Sequence, residues 1–161
     1  MTALTTATPT RLDLPVSLDA PLGEAQRVFQ RVFRRDNFAP KAARNFTVDF
    51  LAANGIDGVA VDTARLLISE TVTNAACYAN RGDITVTIEI GDKQVMFTVT
   101  DAGRASAAAG VAACEHDDES EHGRGWELIA ALSVECGIER IGGGNGNRVR
   151  FTLDRLAGGA A

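Results

Sequence analysis

Two polar side chains, Glu70 and Asn74, are four residues apart in a segment that contains no proline or glycine. In a helix, residues at this spacing lie one above the other on the same side. A carboxylate and a carboxamide offer oxygen ligands to a hard cation such as Mg²⁺, and to the phosphate that accompanies it. Such a pair is also common on solvated helix surfaces, so the rest of the chain must decide between the two interpretations.

A second candidate group is the tripeptide Asp101-Ala102-Gly103, which directly follows an alternating apolar segment. A carboxylate at the end of a strand can accept a hydrogen bond from an exocyclic amine. Gly103 has no side chain, so a flat ring could approach the backbone there. Taken alone, the tripeptide is a very weak signal, and an ordinary turn explains it.

A third candidate group is formed by Gly123, Arg124 and Gly125, at the expected start of a helix. Glycines at a helix start expose backbone amides, and the helix dipole attracts anions, so phosphate binding is physically natural. A hinge before a helix would explain the same residues. The chain contains no P-loop motif, and this segment lacks the third glycine and the preceding strand of a dinucleotide-binding motif.

The elements that must position these groups follow from periodicity and from helix and strand breakers. The longest is a helix at Asp62–Asn80, with Asp62 as its N-cap and an apolar side formed by Ala64, Leu67, Ile68, Thr71, Ala75 and Tyr78. The other expected elements are an edge strand at Arg27–Arg35, a helix from Pro40 to Gly55, strands at 84–90 and 95–101, a helix at Arg124–Leu132 with Trp126, Ile129 and Ala130 inward, and strands at Val134–Ile141 and Arg148–Asp154.

The order of these elements predicts an α/β fold, a two-layer sandwich. The strict alternation in segment 84–90 indicates one apolar face, so we expect a mixed sheet covered by helices on one face. A chain of 161 residues can bury a core as one domain. We assign residues 26–156 to this domain, residues 1–25 to a flexible N-terminal leader rich in Thr, Pro and Ala, and residues 157–161 to a tail.

Composition excludes several classes of protein. The net charge of −5 argues against a direct nucleic-acid binder, and no apolar segment approaches membrane-spanning length. The N-terminus lacks the features of a signal peptide. Cys77, Cys114 and Cys136 show no CxxC spacing, so we interpret them as free thiols in a reducing, cytoplasmic compartment. Cys114, His116 and His122 match no metal-ligand spacing.

Four segments, taken in order, resemble a known family. They are I-S-E-T-V-T-N-A-A at 68–76, D-A-G at 101–103, G-R-G-W-E-L-I at 123–129 and N-R-V-R-F-T-L at 147–153. Together they are similar to the motifs of the histidine-kinase-like ATPase (GHKL) superfamily, which has the Bergerat-type ATP-binding fold. The small size and the S-E-x-V-T-N-A wording are most similar to bacterial anti-sigma-factor serine/threonine kinases.

The resemblance implies a role for each matching residue. Asn74 would coordinate a Mg²⁺ ion that bridges the phosphates of ATP, and Glu70 would act as the general base on an attacking hydroxyl. Asp101 would bind the adenine amine, and Gly103 would leave room for the ring.

The remaining motif residues would surround the rest of the nucleotide. Gly123, Arg124 and Gly125 would close on the phosphates, with residues 104–122 as an ATP lid. Thr152, on the last strand, matches a polar position near adenine in this family.

The implied function is phosphorylation of an anti-sigma antagonist by a cytoplasmic, ATP-binding protein that regulates a sigma factor by partner switching. The resemblance also implies a homodimer formed through the first strand and helix, where Phe29, Phe33 and Phe46 supply apolar surface. The alternative is a non-catalytic module that binds the sigma factor or antagonist, with nucleotide as a structural ligand or none. Only phosphoryl transfer requires a base at Glu70, so this residue distinguishes the two hypotheses.

Overall fold

A computed structural model describes residues 27–79, 81–103, 119–141 and 146–156. The expected leader and tail lie outside these residues, as do positions 104–118 of the expected lid. The elements are strand β1 (Arg27–Phe33), helices α1 (Ala39–Ala53) and α2 (Val59–Tyr78), strands β2 (Ile84–Ile90) and β3 (Gln94–Asp101), helix α3 (Glu119–Leu132), and strands β4 (Glu135–Ile141) and β5 (Gly146–Asp154).

The described strands form one sheet in the order β1-β2-β3-β5-β4, and every neighbouring pair is antiparallel. The two-layer prediction is confirmed, but the expectation of a mixed sheet is wrong. Two successive helices, α1 and α2, return the chain to the end of the sheet where β1 stops, so β2 runs back beside β1. The single helix α3 does connect two strands of the same direction, β3 and β4, but β5 lies between them.

The helices pack on one face of the sheet. This face carries the apolar residues of β2, namely Ile84, Val86, Ile88 and Ile90, all at most 2% exposed. Next to them the rings of Phe97 and Phe151 stack with their centroids 5.0 Å apart. Each large apolar side chain buried in this way contributes roughly 1.5–3 kcal/mol, so this layer supplies the main stabilisation of the fold.

Helix α2 buries the side that the sequence predicts. Ala64, Leu67, Ile68, Thr71 and Ala75 are all at most 5% exposed, and Val72, which was not expected there, is also fully buried. The side chain of Tyr78 lies outside the description.

The start of α2 differs from the prediction. The helix begins at Val59, after Gly58 with a φ of 64°, and the N-cap makes no side-chain hydrogen bond. Asp62 is therefore not the cap. It lies in the first turn and forms an exposed ion pair with Arg65 at 3.2 Å.

Helix α3 begins at Glu119, five residues before the expected start at Arg124. Ile129 is buried and Trp126 packs against the core, as predicted, whereas Ala130 is exposed. Leu128 packs against the core instead. The inward side of the helix was thus predicted at two positions out of three.

No helix in the described ranges is long and apolar enough to cross a membrane. Cys136 is a buried free thiol, as expected. Cys77 is disulfide-bonded, so the expectation of free thiols is wrong for this residue. Cys114 lies outside the described residues.

Candidate functional site

The C-terminal end of α2 and the C-terminal end of β3 lie at the same end of the sheet. The short connection after α2 leads into β2, whose Thr85 pairs with Thr100 near the end of β3. In this connection Gly82, with a φ of 70°, lies so close to Ala102 that an added Cβ would be 2.8 Å from the Ala102 Cβ. The contact brings the Asp101–Gly103 segment next to the end of the helix that carries Asn74.

Glu70 and Asn74 lie half-buried on α2 and face Gly125 of α3. A Cβ built on Gly125 would be 3.4 Å from the Asn74 Nδ2 and 3.6 Å from the Glu70 Oε2. The structure therefore brings together three of the residues that sequence motifs singled out. A glycine at this position leaves about the volume of one methyl group beside the two polar side chains.

The neighbouring polar residues of α2 are already satisfied. The hydroxyls of Ser69, Thr71 and Thr73 each donate to the backbone carbonyl four residues earlier, at 2.6–2.8 Å. Glu70 and Asn74, in contrast, make no side-chain hydrogen bond or ion pair with any described residue. Half-buried polar groups without partners are disfavoured unless water or a ligand satisfies them, so this pair is available to a ligand.

Asp101 lies at the end of β3 with 7% of its surface exposed, on the face that packs against the helices. Its Oδ1 accepts a hydrogen bond from the backbone amide of Gly103 at 2.8 Å, and Gly103 has a φ of 75°. Burial raises the pKa of Asp101, while hydrogen bonds from the Gly103 amide and from Asn147 oppose the shift. The result is a fixed, largely desolvated carboxylate, which suits recognition of an amine.

Two residues that sequence reasoning missed support this carboxylate. Asn147 pairs with Asp101 in the sheet register, and both its backbone and its side chain form hydrogen bonds to Asp101. A Cβ on Gly146 would be 2.6 Å from the backbone oxygen of Asp101 and 3.0 Å from Ile141 Cγ1. In the sequence, a hairpin turn is a sufficient explanation for the glycines before Asn147. Only the strand register shows that the first residues of β5 lie beside Asp101.

Thr152 does not belong to this site, and its predicted role is wrong. It pairs with Met96, five residues before Asp101 in β3, and is 4% exposed. Five residues of strand span roughly 17 Å, and an odd separation places the side chain on the opposite face of the sheet. The sequence motif of the last strand resembles that of the family, but it does not state which residue of β5 lies opposite Asp101.

Gly123 and Arg124 lie inside α3 and do not precede it. Gly123 and Gly125 are the fifth and seventh residues of the helix, past the four residues whose amides a helix leaves free. The phosphate-binding argument from a helix start therefore does not apply to this arrangement. Gly125 instead contributes through its contact with Glu70 and Asn74. The Arg124 side chain lies outside the description.

The donor set fits a nucleotide with its metal better than a metal alone. Within the described residues, no group of three His, Cys, Asp or Glu side chains is placed to hold a metal ion. Phosphate oxygens of a bound nucleotide are suitable further ligands for a metal at Asn74. Asp101 and Asn74 offer an amine acceptor and a carboxamide ligand, and Gly125 leaves space beside the carboxamide.

Comparisons with known proteins identify the family and the fold of the chain. The family model of the histidine kinase-like ATPase domain matches residues 21–153. No curated protein matches the chain. A solved structure that is similar contains the RsbU and RsbW domains of Rv1364c from Mycobacterium tuberculosis, with 22% identity and a TM-score of 0.60.

The match to this structure covers 79% of the present chain and 32% of the other, so the chain spans about a third of its length. At this identity, the likeness shows a shared fold. Because the family model covers most of the sequence, the chain belongs to the histidine kinase-like ATPase family.

Proposed function

We propose that this protein is an ATP-dependent serine/threonine kinase of the anti-sigma-factor type, acting in the cytoplasm. It would phosphorylate an anti-sigma antagonist and so regulate a sigma factor by partner switching. The observation that carries the proposal is the pair Glu70 and Asn74, which has no side-chain partner among the described residues and lies at the end of the sheet where Asp101 is buried. The S-E-x-V-T-N-A wording around this pair supports the anti-sigma assignment.

At one end of the site, Asp101 accepts a hydrogen bond from the exocyclic amine of adenine. Asn147 and the Gly103 amide keep the carboxylate in place, so it does not have to reorganise when the base arrives. Gly103 leaves the ring room beside the backbone.

At the other end, Asn74 provides an oxygen ligand for Mg²⁺. Bound Mg-ATP supplies a transferable phosphoryl group with part of its charge neutralised by the metal. Glu70 accepts the proton that leaves a serine or threonine hydroxyl of the partner protein. Because Glu70 lies one helical turn from Asn74, the base and the metal ligand keep a fixed separation. Gly125 leaves space beside Asn74 on the phosphate side, and Gly123 and Arg124 would close on the phosphates from the same helix.

One observation favours the alternative, a module that binds its partner without transferring phosphate. Gly125 lies close to both Asn74 and Glu70, so α3 leaves room for only about a methyl group beside the pair, which is less than a phosphate needs. Catalysis therefore requires α3 to withdraw from the pair. A protein that sequesters its partner needs no such movement.

We also propose a homodimer formed through β1 and α1. Among the described strands, β1 pairs only with β2, and no described strand occupies its other edge, where a second chain could pair. Val28, Phe29 and Val32 on this strand are 46–60% exposed, and the Phe29 ring lies 5.5 Å from that of Phe46. Light scattering of wild type and of Val28→Lys/Val32→Lys tests this assembly, and a wild-type monomer at high concentration contradicts it.

A transfer assay tests the kinase proposal. Partner proteins captured from the native host are purified and incubated with the full chain, Mg²⁺ and γ-labelled ATP. We expect label on a serine or threonine of the antagonist, and none without Mg²⁺. Wild-type protein that binds both ATP and antagonist yet transfers no label would establish the sequestration module instead.

A further inference from the structure

Strand β3 is buried on both faces, unlike its neighbour β2. In β2, buried residues alternate with partly exposed ones, as expected for a sheet with one covered face. In β3, all residues from Val95 to Val99 are buried. Met96 and Thr98 alternate with the core residues of this strand, so they face away from the helices. The centre of the helix-free face is therefore covered as well.

The cover extends to β5 but not to the edge of the sheet. Thr152, which pairs with Met96, is 4% exposed, and Met96 itself is 3% exposed. The Nε of Arg150, opposite Thr98, is shielded from solvent. On the same face of β1, in contrast, Val28 is 60% exposed. We call the covered group of Met96, Thr98 and Thr152 the central patch.

The sequence before β1 contains a segment suited to such a patch. Leu12, Leu14, Val16 and Leu18 alternate with less apolar residues. This period of two is typical of an extended segment with one apolar side. Pro15 lacks a backbone amide, so the segment fits packing across a face or an outer edge better than pairing inside a sheet.

The chain length allows this contact. Nine residues from Leu18 to Arg27 reach at most about 30 Å when extended. The sheet order places β1 three strand spacings from β5, which is roughly 14 Å. The leader can therefore pass under β1 and β2 and arrive at the centre of the helix-free face.

We propose that residues 12–18 of the same chain pack with their apolar side on the central patch. This segment would give the two-layer fold a partial third layer over β3 and β5. Its occupancy is independent of nucleotide, because the patch lies on the opposite face of the sheet from Glu70, Asn74 and Asp101.

The oxidation rate of Met96 tests the proposal. The sequence has two methionines, Met1 and Met96, so the peptide that contains Met96 reports on the patch without interference. Full-length wild type, Leu14→Asp/Val16→Asp and the control Ser17→Asp, which adds one negative charge on the other side of the segment, are treated with hydrogen peroxide and analysed by mass spectrometry. We expect oxidation of Met96 to be about tenfold faster in the double variant, since methionine oxidation follows exposure, and unchanged in the control.

Three results would overturn the proposal. Equally slow oxidation in all three proteins means that neighbouring side chains alone shield Met96. Fast oxidation in wild type means that the patch is open. Protection that disappears on dilution means that a second copy covers it.

A second measurement does not depend on the folding of the double variant. A photoreactive residue at Val16 of the otherwise unchanged chain should cross-link within that chain to the peptide containing Met96. A cross-link to a second copy, or to the helices, contradicts the intramolecular contact.

Discussion

The two ends of the candidate site are built in different ways. At the proposed adenine end, Asp101 is buried and receives hydrogen bonds from Gly103 and Asn147. At the proposed phosphate end, Glu70 and Asn74 are half-buried and have no side-chain partner among the described residues. One end is fixed by the sheet, while the other depends on how α3 lies against α2.

The difference separates recognition from chemistry. A carboxylate held by strand register can bind a base without reorganising, and it gains affinity by avoiding that cost. A base and a metal ligand must in contrast be free to accept a proton and to coordinate, so intramolecular partners would compete with their function. Substitutions at the two ends should therefore affect different measurements.

The largest effect is expected for Glu70→Gln. Glutamine keeps the size and polarity of the side chain but does not accept a proton at neutral pH, so phosphate transfer to the antagonist should fall by on the order of 10²–10⁴. Binding of Mg-ATP should be retained, because Asp101 and Asn74 are unchanged. Label transfer and calorimetry on the same preparation measure the two quantities.

Two further variants control this experiment. Glu127→Gln changes an exposed glutamate of α3 and should leave transfer unchanged. Asn74→Ala should weaken nucleotide binding and transfer together, because it removes a proposed Mg²⁺ ligand. Undiminished transfer by Glu70→Gln would show that another group serves as the base.

The next effect concerns the adenine end. Asp101→Asn replaces a carboxylate oxygen with an amide donor that faces the donor amine of adenine, so ATP affinity should fall by roughly 1–3 kcal/mol. Calorimetry with ATP measures this loss. Unchanged affinity would remove Asp101 from the binding site.

The same residue predicts a pH dependence with opposite signs for binding and stability. Burial raises the pKa of Asp101 in the folded state above its value of 3.8 in an unfolded chain. Its contribution to the free energy of unfolding is therefore greatest below the unfolded pKa and is lost as pH rises through the folded pKa. ATP affinity should rise over that range, because the ionised form accepts the amine. Urea unfolding of wild type across this range measures the pH dependence of the free energy of unfolding. The contribution of Asp101 to this dependence should be absent in Asp101→Asn.

The two ends also differ in how far sequence predicted them. The stacking of Glu70 over Asn74 follows from helical periodicity, since α2 buries a continuous apolar side. The contact between Asp101 and Asn147 depends on strand register, and a pattern with period two does not state which residues of two strands face each other. For the same reason, the motif wording assigned Thr152 to the site, although Asn147, near the other end of β5, is the residue that pairs with Asp101. For α3, the glycines suggested a helix start, but the helix begins before them, at Glu119.

The next prediction tests the tight packing at the proposed adenine end. In Gly146→Ala the new Cβ would lie 2.6 Å from the backbone oxygen of Asp101, and backbone cannot move aside cheaply. We expect a loss of roughly 1–3 kcal/mol in the free energy of unfolding, as for other overpacked positions. Urea unfolding measures it, and a stability equal to that of wild type would show that β5 is not held against Asp101.

The smallest effect, and the one that most directly compares the two ends, is expected for Gly125→Ala. The added Cβ would be 3.4 Å from Asn74 and 3.6 Å from Glu70, which are ordinary contact distances. Alanine is favoured over glycine inside a helix by roughly 0.5–1 kcal/mol, so the variant should be slightly more stable than wild type, opposite to Gly146→Ala. The methyl group would nevertheless fill the space beside the proposed metal ligand, so affinity for Mg-ATP should decrease.

Ala130→Gly, at an exposed position of α3, is the reciprocal control: it should lower stability by a similar amount and leave binding unchanged. Urea unfolding of both variants measures the free energy of unfolding, and calorimetry measures their affinity for Mg-ATP. If Gly125→Ala binds Mg-ATP as tightly as wild type does, α3 does not form the phosphate end of the site.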